Sequence, residues 1–264
     1  MKKIALLAAF ISFVACKEKP KNEEKMQPEV EQTIAEENFS EELTQVFDAH
    51  GGLTTWKSRK TLVFDLPNPN GTETHTIDLI TRKDKVVSSN YTIGFDGKQV
   101  WLLDEEENYK GDPIFYHNLM FYFYAMPFVL ADDGINYGST DNLEFEGVSY
   151  PGIQITYDNG VGTSPKDEYY LHYNPETYQM EWLGYTVTYR TGEDSDEVKW
   201  IRYKDWMDID GVLLPKSISW HNYDGRTINE ERNTVTFENV SLSREATPDD
   251  FFNKPENAVY VAKE

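Results

Sequence analysis

The chain is poor in cysteine, basic residues and long apolar runs, and each shortage excludes a class of protein. Cys16 is the one cysteine among 264 residues, so no disulfide framework and no multi-cysteine zinc or iron–sulfur site can be built. Lys and Arg number 25 against 46 Asp and Glu, a formal net charge of −21. A field of that sign repels phosphate backbones and excludes nucleic acid as a partner. His50, His75, His117, His172 and His221 are scattered, with neither His-x-x-x-His nor His-Glu-x-x-His, so no metal centre is expected. Asp205, Asp208 and Asp210 before Gly211 lack the spacing and closing Glu of a calcium loop and read as a tight hairpin. Gly-x-Ser-x-Gly is missing, and without strand–helix alternation a nucleotide-binding frame is missing too. With 46 acids some carboxylate pair always fits a glycosidase spacing, so that signal carries nothing. No enzyme and no cofactor are expected.

The apolar run Ile4–Ala15 follows Met1-Lys2-Lys3. At 1.5 Å per residue it is too short for a hydrocarbon core of about 30 Å, and it reads as a secretory leader over 1–15. Cys16 comes directly after Phe13-Val14-Ala15, which resembles the lipobox of bacterial lipoproteins. The alternative is an ordinary leader with an incidental cysteine. The resemblance implies cleavage before Cys16, diacylation of its thiol and acylation of the new amino group. Lys17, in place of Asp, points by the same resemblance to the outer membrane, on the periplasmic face or the cell surface. One acyl chain holds a protein marginally and two or more hold it stably, so the membrane partner is reached through the anchor.

From 16 to 38 the chain has no aromatic residue and carries Pro20 and Pro28, the composition of a solvated tether. A single β-rich domain is expected over 39–264. Ser40-Glu41-Glu42 starts a helix with Leu43, Val46 and Phe47 on one face, and Gly51-Gly52 ends it. The period then changes from 3.6 to 2. Strands are predicted at 60–66, 73–81, 86–93, 98–103, 143–148, 151–157, 168–174, 178–190, 197–206, 212–222 and 227–241, with Asn-Gly and Asp-Gly punctuation between many of them. The expected fold is mainly β with a few helices: one strongly curved antiparallel half-barrel of about eleven strands, closed by helices. Between the strands lies 112–133, apolar nearly all round, with Pro113 suited to a first helical turn and Pro127 to a kink. A helix of this composition must be buried, across the open mouth or inside the concave face.

The helix end Ala49-His50-Gly51-Gly52 with Trp56, the turn Phe95-Asp96-Gly97-Lys98-Gln99-Val100-Trp101, the hairpin Asp208 to Lys216, and Asn239-Val240-Ser241 with Pro248-Asp249-Asp250-Phe251-Phe252 form one series. Over about 40–260 this series resembles the LolA/LolB/LppX-like lipoprotein-carrier fold and a group of bacterial outer-membrane lipoproteins that share it. The resemblance implies a concave apolar cavity for an acyl chain or other lipid. The function expected is non-catalytic binding or transfer of such a ligand, with 112–133 moving as a lid. Phe115, Leu119, Tyr122, Phe123 and Met126 are the expected lining, and Trp101 faces them from its strand. The other reading is a surface-displayed protein- or glycan-interaction module without a lipid cavity, its aromatic residues on the convex face.

Overall fold

The computed structural model describes residues 39–262 apart from 70, 159, 161 and 163. The leader, Cys16 and the tether lie outside the described residues. Among those described, no helix is long and apolar enough to cross a membrane.

Helix α1 (Glu41–Ala49) begins where its cap dictates. The Leu43 amide donates to Ser40 Oγ at 3.2 Å, and Leu43, Val46 and Phe47 are buried. Gly51, at φ 103°, ends it, and a Cβ there would stand 2.0 Å from the carbonyl oxygen of Gly211. The helix end therefore packs backbone on backbone against the Asp210-Gly211 turn, and the Leu213 amide donates to the carbonyl of His50. A short second helix, α2 (Leu53–Lys57), delivers Trp56 into the core, stacked on Phe128 at 4.8 Å.

The strands form two seven-stranded antiparallel sheets. The first contains β1 (Thr61–Asn68), β2 (Gly71–Asp78), β3 (Asp84–Val87), β4 (Thr92–Phe95), β5 (Val100–Leu103), β13 (Glu238–Ser243) and β14 (Val259–Tyr260), in the order β13-β1-β2-β3-β4-β5-β14. The second runs in reverse chain order from β12 (Thr227–Thr236) through β11 (Val212–Asp224), β10 (Lys199–Ile209), β9 (Met180–Tyr185), β8 (Tyr169–Tyr173) and β7 (Val148–Tyr157) to β6 (Ile135–Phe145). Among the described residues fourteen strands in two sheets replace the eleven in one that the sequence suggests. Three local causes account for the difference. The predicted strand 86–93 is a hairpin, because Ser88 to Tyr91 form a turn closed by the Ser88 amide on the Tyr91 carbonyl. The strand 227–241 changes sheet at Phe237, and the pair Val259–Tyr260 adds to the edge at β5. Phe237 is 2% exposed, stacks on Tyr124 at 3.9 Å, and donates its amide to the Lys216 carbonyl. One chain segment thus belongs to both sheets.

The segment between β5 and β6 fills the space these sheets enclose. It comprises α3 (Pro113–Tyr116), α4 (Leu119–Tyr124) and a 3-10 turn at Phe128–Ala131. From Met120 to Ala131 only Tyr122 is not fully buried. Tyr124 meets Phe64 of β1 at 4.7 Å, Phe123 meets Tyr185 of β9 at 5.1 Å, and Tyr203 of β10 donates to the Phe123 carbonyl at 2.7 Å. With side chains on both sheets, this segment is the core itself. A removable lid would need one face free of such contacts, and residues 120–131 have none.

Candidate functional site

At one end of the buried segment the packing stops short and leaves a cleft of about 160 Å³. Phe115, Asn118, Leu119, Tyr122 and Val129 come from the segment, and Asp132 and Asp133 from the link that follows it. Ile135 of β6, Tyr157 of β7 and Tyr169 of β8 form the opposite wall, with Gly162, Ser164 and Asp167 at the rim. The local sequence explains the geometry. Asp112 caps α3 through the amides of Ile114 and Phe115, and Pro113 starts the turn. The break at Asn118 then turns Leu119 and Tyr122 toward β6–β8.

The rings of Tyr157 and Tyr169 meet edge to face at 5.8 Å. Burial raises the pKa of Tyr122, Tyr157 and Tyr169, and the nearby carboxylates push the same way. Among the described residues none of these three hydroxyls has a hydrogen-bond partner. Asp132 is paired through Oδ1 with Arg82, yet burial still holds its carboxyl above the usual range. Asp167 accepts at Oδ1 from the Thr188 amide at 2.6 Å and the Thr188 hydroxyl at 2.7 Å, and burial raises it as well. Asp133 is exposed. Among the described residues no Lys, Arg or His lines the cleft.

Three of the six residues singled out from the sequence meet here: Phe115, Leu119 and Tyr122. Phe123 and Met126 point into the core, at 5% and 1% exposure. Trp101 occupies the opposite face of β5. It lies over Gly94, donates Nε1–H to the Phe252 carbonyl at 3.0 Å, and is covered by the 3-10 turn Asp249–Phe252. Alternation decides this: Val100 packs inward with Val86 and Ile93, so Trp101 must face outward. Sequence reasoning missed the far wall. Tyr157 and Tyr169 were legible as strand aromatics, but their convergence with Asp132 and Asp167 needs the pairing of β6, β7 and β8.

A second aromatic cluster lies on the outer face of the β6–β12 sheet. Trp182 and Trp200 are both 0% exposed there, with Leu143, Phe145, Tyr150 and Tyr223 folded over them. Arg226 in the β11–β12 turn donates to the Asp141 carbonyl at 2.7 Å and lies over Trp200 at 5.5 Å, which ties the two ends of the sheet together. These indoles are covered and offer no platform to a sugar ring. Among the described residues no group of three His, Cys, Asp or Glu is placed to hold a metal ion.

Among solved structures the chain is similar to a LolA superfamily protein from Nitrosomonas europaea, at 11% identity over 79% of this chain and 96% of that one, with a TM-score of 0.47. A DUF1329 family protein from Desulfovibrio piger matches at 10% identity over 79% and 95%, with a TM-score of 0.46. A putative outer membrane lipoprotein-sorting protein domain from Vibrio parahaemolyticus matches at 8% identity over 77% and 96%, with a TM-score of 0.41. Comparison with curated proteins gives no match. The model of a family of unknown function (DUF6503) matches residues 16–224, and the chain belongs to that family.

Proposed function

We propose that this protein is a non-catalytic, lipid-anchored binding protein of the outer membrane whose cleft between the 113–133 segment and β6–β8 takes one small apolar ligand. The observation that carries the reading is the cleft itself: aromatic and aliphatic walls, with Tyr122, Tyr157 and Tyr169 among the lining residues. Apolar walls with a few placed polar groups are the usual form of a small-molecule site. Its size narrows the ligand. An apolar cavity of about 150 Å³ holds a benzene ring, so a cleft of about 160 Å³ takes a ring or a short alkyl segment. A whole acyl chain would have to displace core side chains such as Phe123 and Met126. Acylation of Cys16 would bring the cleft to the membrane surface without a spanning helix.

Saturation-transfer NMR on the full-length chain carrying Cys16→Ser tests this, with 2-phenylethanol and 1-hexanol as neutral probes. Both are expected to bind saturably and in competition. Leu119→Trp, which fills the cleft from a partly exposed position, is expected to remove the signal while the protein stays folded. Binding that is non-saturable, or equal in the filled variant, would contradict the proposal.

A further inference from the structure

The charge of the cleft is uneven in a way that selects a ligand. Three carboxylates, Asp132, Asp133 and Asp167, line it without any cationic side chain among the lining residues. Two counter-charges act on Asp132 from outside the lining: Arg82, which bonds it and lies over the ring of Phe121 at 5.2 Å, and Lys57. Lys166, close to the rim in sequence, pairs with Asp194 at 3.4 Å. The carboxylates share the lining with four aromatic side chains, Phe115, Tyr122, Tyr157 and Tyr169. A ring face attracts cations through its quadrupole, and more strongly where water is excluded. An anion placed there meets the same faces and the carboxylates together, and both repel it.

We infer that the ligand of this cleft is an organic monocation, an ammonium carried on a single ring or short alkyl body, and that the cleft refuses fatty-acid carboxylates and lipid phosphates. The inference rests on the binding reading above and specifies its ligand class. The apolar body lies against Leu119, Val129 and Ile135, and the ammonium lies toward Asp133 and Asp167. A free acid alone would not make a site; here the acids line a half-open cleft together with aromatic side chains. Burial already lifts the Asp132 and Asp167 carboxyls above their ordinary range, even with Arg82 on one of them. A bound cation supplies the opposite charge that the lining lacks. The field of the whole chain, at −21, draws cations to the mouth.

The test uses three ligands with one phenyl ring and one two-carbon arm: 2-phenylethylammonium, 2-phenylethanol and 3-phenylpropanoate. Each is titrated by calorimetry into the full-length Cys16→Ser protein, alone and with Leu119→Trp or Asp133→Asn added. The ammonium is expected to bind about tenfold more tightly than the alcohol, and the propanoate most weakly. Asp133→Asn, at an exposed position, is expected to weaken the ammonium several-fold more than the alcohol, and Leu119→Trp to abolish both. Equal affinity for alcohol and ammonium overturns the charge inference while the binding reading stands. Ammonium binding that survives Leu119→Trp is general attraction to an acidic surface and overturns it too. Binding of none of the three overturns both.

Discussion

His50 and His172 are fully buried and neutral, and their hydrogen bonds say why. His50 Nδ1–H donates to the Val46 carbonyl at 2.7 Å, while Nε2 accepts from the Met180 amide at 3.4 Å. His172 is held in the same tautomer, with Nδ1 on the Tyr150 carbonyl at 3.1 Å and Nε2 facing the Arg226 guanidinium at 3.4 Å. Burial lowers both from 6.5 to about 4. The unfolded chain therefore takes up these protons at higher pH than the folded one. Their contribution to stability is complete above pH 6.5 and is lost as pH falls toward 4, at about 1.4 kcal/mol per pH unit for each ring. NMR titration of the ring carbons is expected to give midpoints near 4. Midpoints near 6.5 would show that the rings are solvated and their bonds broken. The cap at Ser40 was readable from sequence because its partner lies three residues away. The partners of His50 and His172 lie across the fold, and no local pattern announces them.

Among the elements, the buried segment 113–131 departs furthest from its sequence pattern. Its composition foretells burial, Pro113 its start, and Pro127 the break before the 3-10 turn. What composition could not say is that both sheets close on it, since a helix apolar all round fits a lid, a plug or a core equally. Phe128 stacks on Trp56 and is 1% exposed. Truncation to Ala is expected to cost about 3–5 kcal/mol in denaturant unfolding. A loss below about 1 kcal/mol would mean that the segment is a detachable cover after all. The strands were legible wherever Asn-Gly or Asp-Gly marked the turn. Ser88 to Tyr91 was not, and neither was Phe237, where an unbroken alternation continues through a change of sheet. Phe237 touches Phe64, Tyr124 and the Lys216 carbonyl, contacts that a strand pattern does not encode.

For the molecule as a whole, alternation and turn chemistry were enough to predict a mainly β, antiparallel body with few helices. They did not reveal two sheets joined by one segment. Phe115, Leu119 and Tyr122 lie on one short stretch of chain whose composition marks it, whereas Tyr157, Tyr169 and Asp167 reach the cleft only through strand pairing. Trp101 was misplaced because aromatic weight says nothing about which face of a strand is inward. On the proposed function, the gap left beside the core segment is the place where a ligand binds. Methyl NMR of the full-length Cys16→Ser protein titrated with 2-phenylethanol tests it most directly. Shifts confined to Leu119, Val129 and Ile135 are the predicted result, with Ile80, Val148 and Val259, exposed elsewhere on the surface, unchanged. Shifts centred on those exposed methyls, or on Ile228 beside the Trp182–Trp200 cluster, would contradict it.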